Sequence, residues 1–172
     1  MEMNDEFRTA LDQVSLLTAE DAALDFWSFS HEDAHRLGGE VLRRATESSL
    51  EVALTIRFGE QLVFAAALAG TSADNDDWLA RKSRAVARYN ASSLLVAARF
   101  HAYSLTIPDW NVARDLPTFD PAIHPVAGGG VPLRVRGSLV GSAAVSGLTD
   151  QEDHDLMVSA MSDAIAEQRR IG

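Results

Sequence analysis

Cysteine is absent from the 172 residues, which removes disulfides, thiolate nucleophiles and cysteine-based zinc or iron–sulfur centres at once. Lysine is almost absent: of the 15 basic residues only Lys82 is not arginine. Basic charge is scarce against 25 acidic residues. The formal net charge of -10 opposes general binding to nucleic acid or anionic lipid, whose phosphates need a basic face. No apolar run approaches the ~20 residues that cross a bilayer. The opening residues, Met1-Glu2-Met3-Asn4-Asp5-Glu6, are acidic where a secretory signal would be basic and then apolar, so a cytoplasmic location is expected.

What is present describes a globular chain: 47% hydrophobic and 23% charged residues, at a length that suits one domain. Phe7, Leu11 and Val14 predict a short helix over 4–17, part of an N-terminal extension (1–24) to a domain covering 25–172. Residues 25–29 read as a short extended piece. Ser30 and Asp33 then have capping spacing before a helix over 31–49 with the apolar stripe Ala34, Leu37, Val41, Leu42 and Ala45. Val52, Leu54, Ile56 and Phe58 alternate with other residues, Gly59-Glu60 allows a tight turn, and Leu62, Phe64 and Ala66 return, which predicts a hairpin. The acids Asp74, Asp76 and Asp77 suit a helix N-terminus, and Trp78, Lys82, Ala85, Val86 and Tyr89 trace one face of that helix to Asn90.

Ser92 can cap a further helix, with Leu94, Ala98, His101 and Leu105 as its stripe. Four prolines between 107 and 125 predict a long loop. A second hairpin is expected over 132–146 around a Gly137-Ser138 turn, and Thr149 with Glu152 opens a last helix. Two hairpins and no crossover imply an α+β domain, an antiparallel sheet flanked by helices.

The run Gly70-Thr71-Ser72-Ala73-Asp74-Asn75-Asp76-Asp77-Trp78-Leu79-Ala80-Arg81-Lys82 followed by Ser92-Ser93 resembles the haem-degrading-domain family, the HbpS/GlcG-like proteins, in its uncharacterised branch. Asp33-Ala34 with Leu37-Gly38, Gly128-Gly129 before Pro132-Leu133-Arg134-Val135-Arg136-Gly137, and Val145-Ser146-Gly147-Leu148 leading to Asp153-His154 extend the likeness over residues 25–165. The resemblance implies a profilin-like fold, assembly into dimers or larger rings, and haem as a ligand of some relatives; others carry no assigned chemistry, and one is linked to protein-targeting factors. Where similar sequences carry a histidine before the glycine pair, this chain has Ala127, and its nearest histidine is His124. A site built on that histidine would be missing or displaced.

Asp153, His154, Arg81, Lys82, Asn75 and Asp76 are the candidate ligand-binding residues. A carboxylate beside His154 could set its tautomer for base, metal or haem-axial duty; the alternative is helix-start packing. His101 reads as a core or interface residue. His31-Glu32-x-x-His35 has zinc-capable spacing, but Ser30 and Asp33 place it at a helix start where acids serve as caps, and no metal is expected. Asp74 to Asp77 lacks calcium-loop spacing, and Gly128-Gly129-Gly130 precedes a strand rather than a helix, so it is not a phosphate loop. The small residues Gly141-Ser142-Ala143-Ala144 permit close approach of another element.

No complete catalytic constellation is present, so the sequence favours an oligomeric small-molecule binding module, haem being one implied ligand, with a non-catalytic scaffold for protein–protein contacts as the alternative. Self-association is expected through the helix bearing Arg81, Lys82, Arg84 and Arg88, a basic face on an acidic chain.

Overall fold

A computed structural model of the chain describes residues 5–105 and 127–171. The elements run α1 (Asp5–Ala23), β1 (Asp25–Phe26), α2 (His31–Glu47), β2 (Ala53–Phe58), β3 (Gln61–Ala67), α3 (Ala73–Tyr89), α4 (Ser93–Ser104), β4 (Gly130–Val135), β5 (Ser138–Ser146) and α5 (Asp150–Ile171). The long loop expected between 107 and 125, and His124 with it, lies outside the described residues.

The helix starts follow local chemistry. Ser30 and Asp33 form a reciprocal capping box, as do Thr149 and Glu152, and Ser92 Oγ accepts from the Leu95 amide. Ahead of α3 the cap is Ser72 with Asn75, whose Oδ1 accepts from the Ser72 amide at 2.9 Å. The acids of that first turn therefore support the start electrostatically while a serine and an asparagine cap it.

The α+β layering stands, built on one sheet of order β1-β4-β5-β2-β3. It is mixed rather than purely antiparallel. β1 runs parallel to β4, with Asp25 opposite Arg134 and Phe26 opposite Val135. A parallel pair needs a long connection, and here all the chain from α2 to α4 supplies it. Both expected hairpins form, but the second turns at Arg136-Gly137, one residue earlier than the Gly137-Ser138 read from sequence; both turn residues have positive φ, the primed geometry that matches strand twist.

Strand alternation sends Leu54, Ile56, Val131, Leu133 and Val145 to a face covered by α2 and α5 through Leu37, Val41, Met157 and Met161. On the other face Ala53 and Ala144 meet Leu79 of α3. Those small side chains let α3 lie close to the sheet and set the depth at which α3 delivers Lys82; within the Gly141–Ala144 run, Ala143 faces the α2–α5 core instead and a Cβ at Gly141 would strike the Arg57 carbonyl. Helix α1, longer than expected at its C-terminal end, packs Leu17 against Leu94, Leu95 and Ala98 of α4.

Candidate functional site

Lys82 sits on the buried face of α3, as its place in the Trp78-to-Tyr89 stripe foretold, and its ammonium is held inside the protein. Nζ donates to the Val145 carbonyl at 2.8 Å and to Asp153 Oδ2 at 2.9 Å, and the two side chains are 3% and 2% exposed. Asp153, in the first turn of α5, also accepts from the Gly147 and Leu148 amides at 3.3 and 3.0 Å. Two backbone amides and one ammonium thus converge on the Asp153 carboxyl at the start of α5.

The glycine pair before β4 makes room for this arrangement. Gly129 has φ +109, and a Cβ there would lie 2.5 Å from the Val145 carbonyl oxygen and 2.9 Å from Lys82 Nζ. A Cβ at Gly128 would lie 2.1 Å from the Asp150 carbonyl oxygen. A side chain at either position would collide with backbone, so the two glycines are a steric condition of the ion pair.

Above the pair opens a small polar cavity of about 250 Å³, walled by Asp74, Asn75 and Trp78 from α3, Ser146 from β5, and Asp150 and Asp153 from α5. Three carboxylates against one ammonium leave its lining with a formal charge of -2. Asn75 ties the two sides together, its amide donating weakly at 3.4 Å to the Ser146 carbonyl and hydroxyl. Trp78 Nε1 donates to Asp74 at 3.2 Å.

Of the six residues singled out from the sequence, Asn75, Lys82 and Asp153 meet at this cavity. Asp76 is exposed and outside it. Arg81 pairs with Asp77 at 2.8 Å and lies 3.8 Å over the Trp78 ring, behind the cavity wall, with its Nε buried and unpartnered. His154 is fully buried and turned toward α1, where Nε2 lies 2.5 Å from Glu20 Oε1; no partner is found for Nδ1. Successive residues of a helix point about 100° apart, so Asp153 and His154 are neighbours in sequence without being partners in space. Of the two readings the sequence left open, helix-start packing is the one whose geometry is present: Asp153 pairs with Lys82 and His154 with Glu20.

His31 and His35 stand at the start of α2 as expected, but His101 does not follow its reading. His101 is exposed rather than in a core. His31 and His35 reach across to β3, at 3.3 Å from Gln61 Oε1 and from the Val63 carbonyl respectively, and among the described residues no three metal-capable side chains converge. With Lys82 inside and Arg81 partly buried beside Asp77, only Arg84 and Arg88 of the basic face expected on α3 are exposed.

Asp150 and Ser146 were not among the candidate residues, because isolated polar residues at element ends carry no periodic signal, and Trp78 was read only as part of the α3 stripe. Glu20 and Asp21 were missed for the same reason. Asp21 is 3% exposed and accepts from the Ser92 amide at 2.6 Å, joining α1 to the start of α4. Burial pushes its carboxyl above the ordinary value, against the opposing pull of Ser92, Arg134 and His154.

Haem needs an axial donor, an apolar slot and cations for two propionates. None of four clefts among the described residues is lined by histidine, methionine or tyrosine, and the Lys82 cavity is small and acidic. The described residues do not fit the group.

The family model for haem-degrading proteins of the HbpS-like type matches residues 29–162. A UPF0303 protein of Streptomyces coelicolor is 38% identical over 155 residues, covering 90% of this chain and 94% of the relative. A UPF0303 protein of Brucella canis is 32% identical over 168 residues, covering 97% and 94%. Among solved structures, the Ybr137w protein superimposes with a TM-score of 0.80 at 22% identity, over 91% of this chain and 89% of that one. A PduOC–haem complex gives 0.61 at 17% identity, over 78% and 94%. At such identities the structural likeness speaks for the fold.

Proposed function

The chain belongs to the HbpS-like family of haem-degrading proteins, and on that premise we propose that it is an oligomeric small-molecule binding module, cytoplasmic in location, whose ligand site is the Lys82–Asp153 cavity. The observation that carries this reading is a buried ion pair facing an acidic cavity. Such a pair is a weak source of stability, because apolar residues of similar volume serve a core as well or better. A reason for it beyond packing lies in the cavity it floors, where fixed charge can orient a ligand. Three carboxylates, Trp78 and the Asn75 amide suit a small amine or polyol rather than an anion. The volume of about 250 Å³ falls just below the ~300–1,000 Å³ usual for drug-sized ligands, which points to a compact molecule. Haem, named in the complex of one structural relative, is not the ligand in this reading.

Calorimetric titration with 1,4-diaminobutane and, in parallel, butyrate tests the site. Saturable binding of the diamine that weakens in Asp150→Asn, with none of butyrate, is expected; tighter binding of butyrate, or no binding of either, overturns it. Haemin should give no saturable Soret shift that depends on His154, and one that His154→Ala abolishes would reinstate haem.

Self-association in this reading uses β3. It lies at an edge of the sheet, its seven residues include no charge and no proline, and Leu62 is 48% exposed. A second copy can pair there about a two-fold axis. Light scattering should give more than a monomeric mass, reduced by Leu62→Lys; a monomer at micromolar concentration counts against it.

A further inference from the structure

β1 forms the edge of the sheet opposite to β3, and the chain leaves it at Trp27, whose indole stays 70% exposed. The residue is nevertheless held in place. Its amide donates to Gln168 Oε1 at 3.1 Å, while Gln168 Nε2 donates to the Ser28 carbonyl at 2.7 Å. From the β4–β5 turn, Arg136 Nε donates to the Trp27 carbonyl at 3.1 Å, and the guanidinium lies 4.0 Å from the centre of the indole. One face of the ring is thus covered by a cation, and exposure on this scale leaves the opposite face to solvent. Beside the indole opens a cleft of about 670 Å³, within the range of small-molecule sites, with Phe26 and Ile165 as its apolar wall. It shares no lining residue with the Lys82 cavity. The charges at the cleft are Asp25, Arg136 and Arg169. Asp25 Oδ1 accepts from the Gly137 amide at 2.9 Å and Arg136 is engaged with Trp27. Arg169 is exposed and has no hydrogen bond or ion pair among the described residues, so its guanidinium is the group left to meet a ligand.

We propose that this cleft binds a small planar aromatic carboxylate, its ring stacked on the open face of Trp27 and its carboxylate paired with Arg169. Aromatic rings gain from offset stacking beyond the area they cover, and the planar fork of a guanidinium matches the two oxygens of a carboxylate. Because hydrogen bonds from two other elements already fix the Trp27 backbone, the indole has little freedom to lose when a ligand arrives. The apolar wall of Phe26 and Ile165 favours a hydrocarbon body over a bare inorganic ion.

The test uses 2-naphthoate as probe, with 2-naphthylmethanol as its uncharged counterpart and decahydro-2-naphthoate as its saturated one, followed through the backbone amide and indole N–H resonances of the folded protein. Saturable shifts confined to residues 25–28, 136–137 and 165–169 and to the Trp27 indole are expected with naphthoate. The alcohol should bind about tenfold more weakly and the saturated acid several-fold more weakly. Arg169→Gln, which breaks no contact among the described residues, should weaken naphthoate about tenfold, and Trp27→Leu several-fold. No saturable shift at millimolar naphthoate, shifts spread over the whole protein, equal affinity for either counterpart, or indifference to Arg169→Gln would overturn the proposal. So would the same resonances moving with protein concentration alone, which would make the cleft a contact between copies. Diamine binding at the Lys82 cavity is read separately and stands or falls on its own.

Discussion

Replacing Lys82 by methionine keeps the length of the side chain and deletes its charge. In the native protein that charge answers a carboxylate 2.9 Å away, with neither side chain more than 3% exposed. Removing one member of a buried ion pair costs about 3–5 kcal/mol, because the other is left uncompensated. Lys82→Met should fall near about 3 kcal/mol, since Asp153 keeps the Gly147 and Leu148 amides and its place at the start of α5. Asp153→Leu should fall nearer about 5 kcal/mol, because it strands both amides and leaves the ammonium with the Val145 carbonyl alone. For a chain of this size each kcal/mol lowers Tm by about 2–4 °C, so Lys82→Met should melt about 6–12 °C below the wild type. The double variant should lose less than the two singles together, a coupling that marks direct interaction. Urea unfolding of all four proteins supplies the comparison. A loss below about 1 kcal/mol for Lys82→Met, or strict additivity, would refute the view that the ammonium is held by Asp153 inside the protein.

Three further outcomes follow from named contacts. Asp21 has its carboxyl raised above 3.8 by burial, so its support for the fold is complete below that pH and is lost as pH rises through the folded value. Asp21→Asn keeps an acceptor for Ser92 and cannot titrate, so its urea midpoint relative to the wild type should improve from about pH 4 to about pH 7; a relative decline would contradict the shift. Glu20→Ala leaves the His154 ring without its partner and should cost about 1–3 kcal/mol, with faster amide exchange concentrated in α1; uniform exchange through the protein would mean that the pair does not anchor that helix. Gly129→Ala adds a Cβ 2.5 Å from a backbone oxygen at φ +109 and should destabilise by about 3 kcal/mol or more, while wild-type melting would show that the β4 entry has room to move.

Much of the architecture is written locally. Capping at Ser30, Ser92 and Thr149 is a matter of residues three apart, and the β2–β3 hairpin follows from alternation around Gly59, so both can be read along the chain. The β1–β4 pairing could not be read so. Two residues carry too little pattern to announce a strand, and their partner lies more than a hundred positions away.

The candidate site divides in the same way. Along the chain one can read that there is a single lysine, that it falls on the apolar stripe of a helix, and that Asp153 opens another helix. Which of these groups face one another depends on how the elements pack. The rotation of α5 sends Asp153 toward Lys82 and His154 toward Glu20, and the small residues of β2 and β5 bring α3 close enough for the ammonium to reach the Val145 carbonyl. Helix periodicity fixes directions around one axis; the partner met in each direction is set by packing between elements distant in sequence, which no local pattern records.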